Sequence, residues 1–334
     1  MIIGFVAEKW EWEYRVALVP QTVHLLTKMG HEVYFEKNAG IKAGFSDEDY
    51  IKNGAKLFTD ATNVYKKSEI IVKINAPVEQ EYKYLHKDLW IIANFSNMSK
   101  DEQLSIIKKY KVKIVALDQL PRLSRVQDID ILSSQNNLAG YKAALIAMNM
   151  QNKSVPLMMT SAGTVPALKA LVLGVGVAGL QAIATLQRMG AIVYASDVRA
   201  ETAEQVMSLG AKFIISSNDN IFNILKNIDI LITSAYSSNG YTPQLITLKM
   251  LKQMPLGSII IDMANGNVEG GLENSVKILD NVKILSSVHL AADVAYSASG
   301  LFSRNIYNLL SRWDELLKDD EVWSKILIQD NKGI

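Results

Sequence analysis

Three glycines, Gly174, Gly176 and Gly179, stand in the order G-x-G-x-x-G within LVLGVGVAGLQAIA. Such a turn suits the pyrophosphate of a dinucleotide. The first glycine permits a tight turn, the second lets the backbone approach the phosphates, and the third lets a helix pack close to its strand. The free N–H groups and partial positive charge at the start of that helix favour the anion. The flanks are of the required kind. Lys169 to Leu173 reads as an apolar strand, and Leu180, Ile183, Ala184 and Leu186 follow helical spacing. A second strand then ends at Asp197, 18 residues beyond Gly179. A carboxylate there accepts hydrogen bonds from ribose hydroxyls and repels a 2′-phosphate, which favours NAD(H) over NADP(H). Arg199 blurs that choice, because arginine can accommodate a 2′-phosphate, but it sits two residues past the strand end. A glycine-rich turn with no ligand is the competing reading.

A second concentration of polar chemistry lies in PRLSRVQDIDILSSQNNLAGYKAA. Arg122, Arg125, Gln127, Asp128, Asp130, Ser133, Ser134 and Gln135 fall within 14 positions, with Leu123, Ile129, Ile131 and Leu132 between them. A set this dense, running into an apolar helix, fits the lining of a cleft. It equally fits a solvated loop that caps the helix.

The elements that must hold these residues form an alternating series. The first third reads as strands at Ile2–Val6, His31–Glu36, Glu69–Ile74, Trp90–Phe95 and Lys113–Leu117. Between them lies a helix marked by Val23, Leu26 and Met29 and closed by Gly30, and two more start at the capping boxes Ser46/Asp49 and Ser99/Glu102. A helix over Asn136–Asn149, with Leu138, Tyr141, Leu145 and Met148 on one face, bridges to a second series. Its strands are Lys169–Leu173, Ile192–Ser196, Lys212–Ile215, Asp229–Thr233, Ser258–Asp262 and Val282–Leu285, with helices at Leu180–Met189 and Thr202–Leu209. A long helix over Ser299–Lys318 and a short strand at Lys325–Ile328 end the chain. Strands alternating with helices imply parallel sheets covered on their faces. The expected class is α/β: two Rossmann-like lobes with parallel sheets and an inter-lobe cleft that holds the nucleotide. The first lobe spans residues 1–135, completed by 301–334, and the Rossmann lobe spans 136–300.

Composition agrees. At 334 residues the length suits about two domains. Lys and Arg total 35 against 34 Asp and Glu, so there is no basic excess of the kind nucleic-acid binding requires. With no cysteine, thiolate metal sites, disulfides and cysteine nucleophiles are excluded, and no metal is expected. No targeting segment is evident, and the 18-residue charge-free stretch from Ala170 to Gln187 reads as strand, turn and helix rather than a membrane span. A soluble chain is expected.

The run SRVQDIDILSSQNNLAGY, followed by PLMMTSAGTVPALKALVLGVGVAGLQAIATLQRMGAIVYASDVRAETAEQVMSLGAKF, closely resembles the NAD-binding domain of Re/Si-specific, proton-translocating NAD(P) transhydrogenase. The match is dense from about Pro121 to Phe213 and looser around EYRVALVP and from Ala291 to Leu310. The resemblance implies direct hydride transfer from NADH on this chain to NADP(H) carried by a partner subunit, coupled through a membrane component to proton movement. Arg122, Gln127, Asp130 and Ser133 match the family's site. Gln127 would help bridge the two nucleotides, and the other three would hold the nicotinamide end. Nucleotide contacts are expected at Arg125, Gly174, Gly176, Val177, Ala178, Gly179, Asp197, Val198, Arg199, Ser234 and Ala235. Direct hydride transfer needs two rings in near-attack geometry rather than an acid, base or nucleophile. A homodimer is also implied, with apolar helices such as Tyr141–Met150 in support. So is a position on the inner face of an energy-transducing membrane, cytoplasmic or its matrix equivalent.

Alanine dehydrogenase is a near relative of that family and shares its two-lobe fold. Arg15 and Lys73 fall where its substrate-binding arginine and lysine belong, but transhydrogenases retain similar basic residues. Its acid/base histidine would lie near the end of WIIANF, where this chain has Ser96; His24, His31, His86 and His289 lie in other contexts. Its aspartate after IIID is also not evident, since MANGNVEGG follows Asp262. The long mobile loop of transhydrogenases has no counterpart after GAKF, and their proline-rich loop is replaced by AYSSNGYTPQ. There Tyr236 or Tyr241, with Gly240 as a hinge, offers a substitute lid. The transhydrogenase subunit is therefore the leading reading. An amino- or keto-acid dehydrogenase and a catalytically silent NAD(H)-binding module are the alternatives.

Overall fold

The computed structural model describes residues 1–236, 242–287 and 289–328. It divides into two compact units, Met1–Gln135 with Val294–Ile334, and Asn136–Asp293. The first unit opens with β1 (Ile2–Phe5), α1 (Pro20–Lys28), β2 (Glu32–Glu36), α2 (Asp47–Lys52) and β3 (Lys56–Phe58). It continues through α3 (Ala61–Lys67), β4 (Ile70–Asn75), β5 (Trp90–Asn94), α4 (Lys100–Tyr110) and β6 (Lys113–Ala116). Both capping boxes form: the Ser46 and Ser99 hydroxyls accept from the amides of Asp49 and Glu102, whose carboxylates accept in turn from the cap amides. The boundary between the units falls within α5 (Ile131–Met150).

The second unit begins with a hairpin of β7 (Met158–Thr160) and β8 (Gly163–Val165), which alternation did not reveal. Then follow β9 (Lys169–Leu173), α6 (Val177–Arg188), β10 (Ile192–Ser196), α7 (Thr202–Ser208), β11 (Lys212–Phe213), α8 (Asn218–Leu225) and β12 (Ile230–Thr233). The unit ends with α9 (Leu248–Leu251), β13 (Ile259–Asp262), β14 (Ser275–Leu279) and β15 (Val282–Ser286). The chain returns to the first unit through α10 (Ala295–Ser311), α11 (Trp313–Leu316), α12 (Asp320–Ile326) and β16 (Leu327–Ile328).

Each unit carries a seven-stranded sheet, ordered β16-β6-β5-β4-β1-β2-β3 in the first and β11-β10-β9-β12-β13-β15-β14 in the second. Among the described strands of these two sheets, all run parallel except β16 and β14 at the edges. The period-2 geometry of a strand sends alternate residues to opposite faces. Ile70, Val72 and Ile74 accordingly enter one core and Ile71 the other, while Ala170 and Val172 part from Leu171 and Leu173. Burial on both faces is why these strands read as unbroken apolar runs.

Three expectations are corrected. The C-terminal helix is not continuous to Lys318: Arg312 leaves helical geometry at φ −112° and ψ 19°, and the break sets Trp313 edge-on to Trp90 and Trp323. The final strand is shorter than expected, because Lys325 and Ile326 still belong to α12. The bridging helix starts at Ile131, and its buried face is Ala139, Gly140, Ala143, Ala144 and Ala147 rather than the larger apolar set. Small residues let α5 approach closely, whereas Leu138, Tyr141, Leu145 and Met148 are only partly buried or exposed. The charge-free stretch from Ala170 resolves into β9, the glycine turn and α6. No helix among the described residues is long and apolar enough to cross a membrane.

Candidate functional site

In the second sheet, chain order reverses at β9, which pairs with β10 on one side and β12 on the other. Open α/β sheets bind ligands beyond the carboxyl ends of the strands at such a point. The glycine turn leaves β9 here. Gly174 takes φ +92°, and a Cβ on it would lie 3.0 Å from the Ala235 amide nitrogen beyond β12. A Cβ on Gly179 would sit 1.9 Å from the Gly174 carbonyl oxygen, so this glycine is required for α6 to pack against the turn. Gly176 differs: a Cβ there would meet nothing within 4 Å. Two of the three glycines are thus demanded by the fold, and the third leaves open space at the start of a 12-residue helix. Val177 is exposed there, and Ala178 is half-buried. Sequence reading missed Gly140, whose Cβ would lie 2.0 Å from the Ala178 carbonyl oxygen, so α5 lies directly on the first turn of α6.

Asp197, just beyond β10, is the expected ribose acceptor. Its Oδ2 accepts from the Val175 amide at 2.7 Å and from Arg199 Nη2 at 3.0 Å. Its Oδ1 accepts from the Arg199 amide at 2.9 Å and Nε at 3.0 Å. Burial opposes the carboxylate charge, but the Arg199 guanidinium and these amides outweigh it and hold the group below the ordinary range. Arg199 therefore folds back onto Asp197 rather than standing clear of it. Val198 between them is 88% exposed.

Ser234 donates its hydroxyl to the Gly174 carbonyl at 3.1 Å, joining the loop after β12 to the turn. Asn267, which spacing did not single out, grips that loop. Its side chain accepts from the Ala235 amide and donates to the carbonyls of Ala235 and Pro243. Asp262 in turn shapes the segment bearing Asn267, accepting from the Thr233 hydroxyl and the amides of Ala264, Gly266 and Val268. Of the lid residues expected after β12, Tyr236 is exposed and donates to the Met263 carbonyl at 3.4 Å, while Gly240 and Tyr241 lie outside the described residues.

In the polar segment, a 3-10 turn over Ser124–Ile129 buries Val126 and Ile129 and leaves Arg125, Gln127 and Asp128 exposed. Arg122 and Gln127 are exposed and make no side-chain hydrogen bond among the described residues. Arg125 is engaged elsewhere, with Asp319 at 3.1 Å and Glu321 at 2.5 Å. Asp130 is the N-cap of α5: its carboxylate accepts from the Ser133 amide at 3.0 Å and the Ser133 hydroxyl at 2.5 Å. Replacing Asp130 with alanine should therefore cost about 1 kcal/mol of stability, and asparagine should restore most of it, since both Asp and Asn cap well. Urea titration of the two variants checks this. Equal losses in both would show that charge rather than capping matters.

The first sheet has its own reversal at β1, flanked by β2 and β4. That position is filled by the protein's own charges. Lys73 sits at an irregularity in the β4–β5 register, 1% exposed, with Nζ 3.1 Å from Glu81 and 3.4 Å from Glu8. Arg15 makes a two-point pair with buried Glu13 at 2.7 and 2.6 Å and donates to Gln135 at 2.8 Å. Asn75 completes the Glu13 site at 2.8 Å. Both basic residues are thus occupied by internal partners. Ser96 is exposed, while His31 and His86 face the N-terminus and backbone carbonyls respectively. Among the described residues no group of three or more His, Asp or Glu is placed to hold a metal ion.

Two family models cover nearly the whole chain. The alanine dehydrogenase/PNT N-terminal domain matches residues 4–139, and the alanine dehydrogenase/PNT C-terminal domain matches residues 143–332. The chain belongs to the alanine dehydrogenase/PNT family. It is 36% identical to the first part of NAD(P) transhydrogenase subunit alpha from Rickettsia prowazekii, with 98% of this chain and 94% of that protein covered. Identity to the corresponding protein from Rhodospirillum rubrum is 35%, over 93% and 90%. A crystal structure of transhydrogenase from Sinorhizobium meliloti superposes with a TM-score of 0.93 at 35% identity, covering 100% of this chain and 98% of that one.

For this alanine dehydrogenase/PNT chain the comparisons support the α/β class, with two mostly parallel sheets, and a transhydrogenase-type oxidoreductase family. They also bear on length. The Rickettsia alignment runs over 361 residues against 334 in this chain, so that relative carries segments absent here.

Proposed function

We propose that this chain is the NAD(H)-binding subunit of a proton-translocating NAD(P) transhydrogenase. It would pass hydride directly between NAD(H) on its glycine turn and NADP(H) held by a partner subunit. The observation that carries this reading over amino-acid dehydrogenation is the 36% identity to the first part of transhydrogenase subunit alpha, with 98% of this chain and 94% of that protein covered. Arg15 and Lys73 do not discriminate between the two readings; each pairs with buried carboxylates, Glu13 for the first and Glu8 and Glu81 for the second. The space above Gly176 supports the nucleotide half of the reading. Val175, Asp197, Ser234 and Ala235 surround the turn, and Arg122 and Gln127 are the residues of the polar segment left available to the nicotinamide. Asp130 and Ser133 would support them as the cap of α5.

A homodimer fits the second unit's surface. The β7–β8 hairpin is exposed along both strands, with Leu157 at 59% and Met159 at 80%, and α5 leaves Tyr141 exposed. Exposed apolar groups of this kind mark interaction surfaces. A membrane-spanning partner, with this chain held peripherally on the inner face of an energy-transducing membrane, follows from the same reading.

The test is hydride transfer from NADH to an NADP analogue. It compares the purified chain alone, the chain with a transhydrogenase NADP-binding domain, and the chain with pyruvate plus ammonia. Transfer only in the second mixture supports the subunit reading. NADH oxidation in the third moves the protein to the dehydrogenases, and NADH binding without turnover anywhere leaves a silent module. In the active mixture Gln127→Asn should slow transfer at least about tenfold with little change in NADH affinity, because misplacing one ring disturbs near-attack geometry. Equal rates would remove the bridging role.

A further inference from the structure

We infer that Asn305 is a positioning residue for hydride transfer, fixing from α10 the backbone that presents Gln127. The inference deepens the reading of Gln127 as the bridge between two nucleotides and rests on it. Gln127 stands in the 3-10 turn over Ser124–Ile129, with its side chain exposed. Its backbone, by contrast, is held on every side. Val126 and Ile129, both 0% exposed, anchor the turn in the core of the first unit. The Gln127 carbonyl accepts from the Asp130 amide at 3.2 Å. The Asp128 carbonyl accepts from Asn305 Nδ2 at 2.7 Å and from Asn308 Nδ2 at 2.9 Å. The Arg125 carbonyl accepts from Nη1 of Arg312, the residue that ends α10, at 3.0 Å.

Asn305 is the inner member of this set. It is 7% exposed and lies on α10 beside the core residues Phe302, Ile306 and Leu309. A polar group taken from water costs stability unless its hydrogen bonds are met, and an apolar residue would fill the position without that cost. Both ends of the amide are met here. The Asp128 carbonyl can only accept, which turns Nδ2 toward it, and Oδ1 then accepts from the Ser134 hydroxyl at 2.8 Å. One buried amide therefore ties the turn carrying Gln127 to the first turn of α5, on either side of the Asp130–Ser133 cap. Arg312 and Asn308 lie further out. Arg312 also serves the exposed carboxylates of Asp128 and Glu315, and such pairs are weakly held. A fixed backbone with the side chain at liberty suits a residue whose amide must meet a second nucleotide, because small displacements of the reacting rings are costly.

A double-mutant cycle on the full chain tests this, read as hydride transfer from NADH to an NADP analogue on a transhydrogenase NADP-binding domain. Asn305→Asp keeps the shape of the side chain but removes the donor to the Asp128 carbonyl. It should slow transfer at least about tenfold, with the NADH dissociation constant within about twofold of wild type. In a Gln127→Asn background the same change should slow transfer by less than about twofold, because the residue it positions is already impaired. Asn308→Ala, at a half-buried position, should slow transfer about threefold through the loss of one hydrogen bond. Its effect should likewise vanish in the Gln127→Asn background, and it carries the cycle should Asn305→Asp fail to fold. Equal slowing in both backgrounds, or wild-type rates in both variants, overturns the inference and leaves the transhydrogenase reading intact. A wild type that transfers no hydride in this mixture overturns that reading, and this inference with it.

Discussion

Gly179→Ala is expected to destabilise the second unit by more than about 3 kcal/mol, a loss confined to a few mechanisms, of which overpacking against fixed backbone is one. The added Cβ would lie 1.9 Å from the Gly174 carbonyl oxygen. That oxygen belongs to backbone and cannot rotate away like a side chain. Gly174 is itself held at φ +92° against the Ala235 and Ser234 backbone, and its carbonyl takes the Ser234 hydroxyl. Relief must come from moving α6 off β9, which opens the core built on Ala182, Ile183 and Leu186. Gly176→Ala should behave oppositely. Its backbone lies at φ −85°, which alanine adopts freely, and its Cβ meets no protein atom within 4 Å. Stability should change by less than about 0.5 kcal/mol, as at ordinary surface positions. NADH affinity should nonetheless fall at least about tenfold, because the methyl group occupies the approach of the pyrophosphate. Urea denaturation followed by circular dichroism, and NADH titration, separate the two effects. Wild-type melting for Gly179→Ala would show that the turn can relax. Unchanged affinity for Gly176→Ala would place the phosphates elsewhere.

The G-x-G-x-x-G order gave the three glycines different tasks, but the distances behind the first and third come from Ala235 and from the chain's own carbonyl. The central strands were legible because burial on both faces turns each into an apolar run. The edges were not. In β14 only one face is covered, Val276 and Ile278 stay exposed, and the run loses its contrast with a loop. The buried face of α5 was misread because close approach at Gly140 selects alanines, while periodicity weights the larger Leu138 and Tyr141. Long-range pairing left no local trace. Arg125 finds Asp319 and Glu321 some 190 positions away, and Lys73 meets Glu8 from the neighbouring strand's end. The Asp197–Arg199 pair spans only two positions, yet spacing gives no sign of which way the guanidinium turns.

The second large effect concerns Lys73. Replacing it with methionine should cost the first unit about 3–5 kcal/mol, the usual result of removing one partner from a buried pair. The cation lies between two carboxylates that are themselves buried. Glu81 has other donors, the Tyr65 hydroxyl at 3.2 Å and the Val78 amide at 3.0 Å. Glu8 is less well served: Oε1 takes the Ile74 amide at 2.7 Å, but Oε2 has no hydrogen-bond partner. Burial pushes the Glu8 carboxyl up from its ordinary 4.5 to about 7, against the pull of Lys73. The sign follows. A carboxyl raised in the folded state stabilises the fold while protonated, fully below 4.5, and that contribution is lost as pH rises through about 7. The interval corresponds to about 3 kcal/mol. Wild-type stability should therefore fall between pH 4.5 and about pH 7 relative to a Glu8→Gln variant, whose curve lacks this term. Parallel curves for the two proteins would show that Glu8 does not titrate in this range. In Lys73→Met the cation opposing that rise is gone, so the loss should be smallest in acid and grow with pH. Should Lys73 instead serve a substrate carboxylate, the methionine variant would melt near the wild type and lose only turnover. The two roles are thus separated by a melting curve, without knowledge of the substrate.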